Sequence, residues 1–133
     1  MIYQFFPMRI LPYTVSNVAL IQEFLDETRK RIADGVEITF TNKASDELAD
    51  LTLDHVIDTA DIESAILSLS TDNYYRGIDP SNKADFDVCA FYTVVGKDEV
   101  EIYLKYGLEV HGLQILLFSN HVPDYPMTQP FKN

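Results

Sequence analysis

The stretch VCAFYTVVGKDEVEIYLKYGLEVHGLQILLFS, residues 88–119, decides the fold. Val88 to Val95 is β-branched and aromatic, Gly96-Lys97-Asp98 has turn chemistry, and Val100 to Leu108 alternates Val100, Ile102 and Leu104 against Glu101, Tyr103 and Lys105. Such alternation marks a strand with one dry and one wet face, because successive side chains leave a pleated backbone on opposite sides. His111-Gly112 marks a second turn, and Leu113 to Ser119 is apolar almost throughout, as expected of a central strand covered on both faces. The reading is an antiparallel meander of three strands.

Upstream, the period changes. Ser16 and Asn17 offer N-caps for a helix running to about Asp34, with Val18, Ile21, Leu25 and Ile32 on one face, Phe24 beside them, and Gly35 as the stop. Arg29, Lys30 and Arg31 fall in its last turns, where cations offset the helix dipole. Val36 to Thr41 reads as a short half-buried strand. Ala44 to Asn73 holds eight acids and no Lys or Arg, and fits two helices, roughly Ser45 to Leu51 and Thr59 to Leu69. The second buries Ile62, Ile66 and Leu69 and opens on a loose capping box at Thr59. Asp72 to Tyr75 reads as one more turn, and Gly77 to Asp85 as a loop. Ile2 to Leu11, interrupted by Pro7, reads as an edge strand or a packed arm; the tail from Val122, with Pro123, Pro126 and Pro130, reads as irregular. Helices first and a meander last predict an α+β fold, with two or three N-terminal helices on one face of a twisted antiparallel sheet.

Composition bounds the function. The 133 residues suit one domain spanning the chain, and 47% hydrophobic content suffices for a packed core. Twenty-one acids against ten bases give a formal charge of −11, which argues against a globally basic nucleic-acid binder and against DNA binding. Cys89 is the only cysteine, so neither a disulfide framework nor a multi-cysteine zinc finger is available. No apolar run approaches the ~18 residues of a membrane span, and the N-terminal stretch shows no basic run or cleavage pattern. A cytoplasmic protein without membrane contact is expected. Walker, dinucleotide and HExxH motifs are missing, and His55, His111 and His121 have no ligand spacing, so neither a metal nor a cofactor is expected. The acidic stretch reads as solvated helix faces.

Chemistry concentrates in the meander. Tyr103 and Lys105, two apart, share a sheet face and set a phenol beside an ammonium. That pairing either lowers the phenol's pKa or binds a phosphate; the alternative is an exposed face with a snorkelling lysine.

In order and spacing, LSLSTDNYYRG (67–77), DVCAF (87–91), VEIYLK (100–105), FSNH (118–121) and YPM (125–127) resemble the MqsR-type (motility quorum-sensing regulator) toxins of the RelE-like superfamily of type II toxin–antitoxin ribonucleases. The resemblance covers about Ala44 to Phe131. It implies a RelE-like fold and a cofactor-free, metal-independent endoribonuclease that cuts mRNA, either free or presented by the ribosome, and is silenced by a cognate antitoxin. The nucleophile in such chemistry is the RNA's own 2′-hydroxyl, leaving a cyclic phosphate and a 5′-hydroxyl. Carried over, Arg76 is a phosphate clamp suited to bidentate contact. Tyr103 is a general acid, a general base or a stacking platform, and Lys105 is the lysine of the same strand motif. His121 is a proton-transfer group, histidine being the side chain that ordinarily titrates near pH 6.5. Lys97, at the hairpin tip, adds a phosphate contact. Phe86 stands where some relatives carry glutamine, and Asn120 where an aromatic residue usually precedes the histidine. The charge supports a second expectation: a non-catalytic acidic module, antitoxin- or immunity-like, that keeps the fold and binds a basic partner.

Overall fold

The computed structural model describes residues 18–77 and 85–132. The expected N-terminal strand or arm, the caps Ser16 and Asn17, and most of the loop after Gly77 lie outside the described residues. Among the described residues three helices, α1 (Val18–Ala33), α2 (Asn42–His55) and α3 (Thr59–Leu67), accompany five strands, β1 (Ile38–Phe40), β2 (Tyr74–Gly77), β3 (Phe86–Val95), β4 (Val100–Glu109) and β5 (Ile115–His121). A 3₁₀ turn, Thr71–Asn73, leads into β2. The strand order is β1-β5-β4-β3-β2.

The meander forms as read, but the sheet is mixed, not antiparallel throughout. β1 pairs parallel with β5, Ile38 opposite Ile115 and Phe40 opposite Leu117, so β5 is interior, as its apolar run requires. The turn expected over Asp72 to Tyr75 is present as the 3₁₀ turn but ends at Asn73; Tyr74 to Gly77 form β2, an edge strand that was not expected. α2 is longer than expected at both ends: the Thr41 hydroxyl accepts from the Ala44 amide as N-cap, and the helix closes on Val56 in the left-handed region, φ 56°. α3 is capped by Asp58, not Thr59; Asp58 and Asp61 each accept the other's backbone N–H.

One side of the sheet is the core. Ile21, Phe24 and Leu25 of α1 and Ile62, Ala65 and Ile66 of α3 pack on Phe91, Ile102, Leu104, Tyr106 and Ile115. Val18, expected inward, is 43% exposed. Tyr106 sits at the centre, 5.2 Å from Phe24 and 5.7 Å from Phe91 between ring centroids. Each such aromatic, fully buried, stabilises the fold by roughly 1.5–3 kcal/mol. Thr28 Oγ1 donates to the Phe24 carbonyl at 2.9 Å, so in the 2.8 Å contact between the two hydroxyls Tyr106 donates to Thr28. Burial pushes the Tyr106 phenol far above its ordinary value, more than the Thr28 hydrogen bond lowers it.

The basic cluster of α1 is structural, and by more than its dipole. Arg31 is buried and donates to the carbonyls of Glu109 (2.9 Å) and Gln114 (3.0 Å) and to Glu27 (2.7 Å), fastening α1 to the β4–β5 turn. Arg29 donates to the carbonyls of Leu67 and Leu69 at the end of α3.

Candidate active site

Two register slips shape the other side of the sheet. In β2, Tyr74 pairs with Phe91 but Arg76 pairs with Ala90, so Tyr75 is the extra residue. In β5, Lys105 pairs with Ser119 but Tyr106 with Leu117, so Phe118 is the extra residue. Since side chains alternate, an unpaired residue reverses which face the rest of the strand presents. Ile115 and Leu117 therefore enter the core, whereas Ser119 and His121 face away from it. Tyr74 is buried, whereas Arg76 faces away.

The slips bring two rows of side chains into register on the open face. Arg76, Ala90, Lys105 and Ser119 are successive cross-strand partners from β2 to β5. One pair along, Tyr92, Tyr103 and His121 are partners, with Tyr75 against Tyr103. The rings touch in sequence: Tyr75 edge-on to Tyr103 at 6.2 Å, and Tyr103 stacked on His121 at 5.0 Å. The Arg76 guanidinium lies 5.2 Å from the centre of the Tyr75 ring, a cation–π contact. Burial and the neighbouring carboxylate of Glu101 hold the Tyr92 phenol above its ordinary value, so it remains a donor.

These rows floor a cleft of about 330 Å³ lined by Tyr75, Arg76, Tyr103, Lys105, Ser119 and His121, with Lys43 of α2 and Pro123, Asp124, Tyr125 and Met127 of the tail completing its walls. The tail is held at its far end by Phe131 stacked on Tyr74 at 5.5 Å and by Gln129 donating to the Asp72 carbonyl at 2.9 Å. Lys43, Arg76 and Lys105 line the cleft with one carboxylate, Asp124, and Glu47 pairs with Lys43 from outside the lining at 2.9 Å, so three cations still exceed two anions and the cleft is locally basic within an acidic chain. A larger hollow of about 490 Å³ lies elsewhere and repels polyanions: Glu23, Asp26, Glu27, Asp87 and Glu109 outnumber Lys30 and Arg31 in it.

Arg76, Tyr103, Lys105 and His121, the residues the resemblance singles out, thus line one cleft and come from three strands. Lys97 does not join them: it sits on the β3–β4 turn and is not among the cleft's lining residues. Phe86 does not reach the cleft either; it packs edge-on against Phe118 at 6.2 Å, further along the same strands. Asn120 alternates into the core, where Nδ2 donates to the Ala44 carbonyl at 2.9 Å and its backbone N–H to Glu47 at 2.9 Å. An aromatic ring there would displace α2. Sequence reasoning missed Lys43, Ser119 and the tail wall.

His121 Nδ1 lies 2.8 Å from the carbonyl of Val122. A carbonyl only accepts, so Nδ1 carries the proton, and a neutral ring then leaves Nε2 as a bare acceptor. Among the described residues no three His, Cys, Asp or Glu side chains converge as a metal-binding group, and no helix is long and apolar enough to cross a membrane. What the fold and cleft define is an α+β chain with a basic and aromatic groove on the open face of its sheet. No family model, curated protein or solved structure matches the chain.

Proposed function

We propose that the chain is a metal-independent endoribonuclease of the MqsR and RelE kind, cutting single-stranded mRNA in this cleft. The observation that carries the reading is the convergence of Arg76, Tyr103, Lys105 and His121 on one locally basic cleft. Each group has a role its chemistry suits. His121 Nε2 takes the proton of the 2′-hydroxyl as the O2′–P bond forms. Arg76 and Lys105 hold the phosphoryl oxygens and offset the charge that builds on them. The P–O5′ bond breaks, the Tyr103 phenol protonates the departing oxygen, and the imidazolium and phenolate return to their starting states through solvent. The products are a 2′,3′-cyclic phosphate and a 5′-hydroxyl. The exposed acidic faces of α2 and α3 are the counterpart that a basic antitoxin segment would meet.

The test is incubation of the purified protein with single-stranded RNA in excess chelator, with the ends of the fragments identified. Cleavage giving cyclic phosphate termini is expected, blocked by a 2′-deoxy sugar at the cut. Tyr103→Phe and His121→Ala should each slow it by about 10²- to 10⁴-fold, the usual contribution of a proton-transfer group. Intact RNA at high protein concentration refutes the reading and leaves the non-catalytic acidic module.

A further inference from the structure

We infer that the cleft binds a run of phosphates, with Lys43 and Ser119 forming a second phosphate subsite beside the scissile one for a single-stranded RNA lying across the strands. The inference rests on the nuclease reading above and adds where the substrate continues. The row from Arg76 through Lys105 to Ser119 spans three strand spacings, about 14 Å, more than one phosphate group fills. Lys43 extends it from the first turn of α2. The adjacent row of Tyr75, Tyr103 and His121 runs parallel, so a backbone following the cations would lay its bases on the rings, as sequence-tolerant single-strand binders do.

The Lys43–Ser119 end is built. Lys43 Nζ donates to Ser119 Oγ at 2.7 Å and to Glu47 Oε2 at 2.9 Å, and Glu47 Oε1 accepts from the Asn120 amide. An ammonium has three N–H groups, so one remains for a ligand. Ser119 is only 6% exposed yet lines the cleft, and among the described residues no acceptor takes its hydroxyl proton. The Lys43 side chain is 64% exposed and paired with Glu47 at 2.9 Å, so its head group reaches the cleft from the solvent side. The arrangement offers two aimed donors to an anion, one charged and one neutral.

The probe is a fluorescent single-stranded RNA of about ten nucleotides, a length typical of such grooves, 2′-O-methylated throughout so that it binds without being cut. Affinity is read by anisotropy across a salt series. Each phosphate neutralised on a single strand contributes about 0.7 to the slope of log K against log salt. Lys43→Ala should lower the slope by about that amount, Lys43→Arg should restore it, and Ser119→Ala should weaken binding several-fold with the slope kept. Lys30→Ala, the same charge change on α1, should leave the slope in place. A wild-type slope in Lys43→Ala, or an equal loss in Lys30→Ala, overturns the subsite while the nuclease reading stands. A wild-type protein that binds no RNA removes both.

Discussion

Replacing Tyr106 by Phe keeps the ring that Phe24 and Phe91 pack against and deletes one hydroxyl. The deletion removes a buried hydrogen bond to Thr28, whose own proton stays on the Phe24 carbonyl, so no donor is orphaned. The cost at pH 7 is therefore about 1 kcal/mol, the ordinary net worth of such a bond. The pH dependence is more telling. In the unfolded chain the phenol ionises near pH 10. In the folded chain burial raises that value well beyond this, so this tyrosine contributes its full stability below pH 10 and loses it above, as the unfolded state alone releases the proton. By pH 11 the loss through this one group is about 1.4 kcal/mol, enough to cancel or slightly reverse the deficit of the variant. Urea unfolding followed by far-UV circular dichroism from pH 7 to 11 measures it. Fluorescence would have to rely on tyrosine, since the chain has no tryptophan. A gap between wild type and Tyr106→Phe that stays constant across that range would mean the folded phenol titrates normally, and the packing argument would fail.

Two substitutions test backbone geometry. Val56 is a β-branched residue at φ 56° and 85% exposed, a conformation that costs non-glycine residues about 1–2 kcal/mol; Val56→Gly should stabilise the protein by about 1 kcal/mol and raise its melting temperature. Gly77 lies at φ +112°, and a Cβ there would sit 2.7 Å from the Val88 carbonyl oxygen; Gly77→Ala should destabilise by about 2 kcal/mol or more, visible as a lower urea midpoint.

Local pattern carried the fold reading furthest where it was strongest. The meander was legible because β4 alternates cleanly and its turns hold glycine, and α1 because Ile21, Phe24 and Leu25 recur at helical spacing. β2 escaped notice because Tyr74 to Gly77 is too short to show a period. The parallel pairing of β1 with β5 is a long-range choice that nothing local encodes. α2 begins at Asn42, three residues before the Ser45 that the pattern suggests, because Thr41 caps it; the pattern alone therefore puts Lys43 in a loop and hides its place beside Ser119. Within the candidate site, Tyr103 and Lys105 followed from alternation on one strand. His121 could not have been placed that way: counted strictly from Leu117, it belongs in the core. The extra residue Phe118 reverses that, and an extra residue has no signature of its own in a single sequence.

That slip makes the cleft unusually sensitive to chain length. Shortening the β4–β5 turn by a residue between Glu109 and Gln114 would disturb the bend and its Arg31 contacts but leave the faces of β5 as they are, whereas losing Phe118 would carry Ser119 and His121 inward, push Asn120 out, and strip the groove of two of its groups while every one of those side chains remained in the protein. In descendants of this sequence, insertions and deletions should therefore collect in the turn and spare all seven residues of β5.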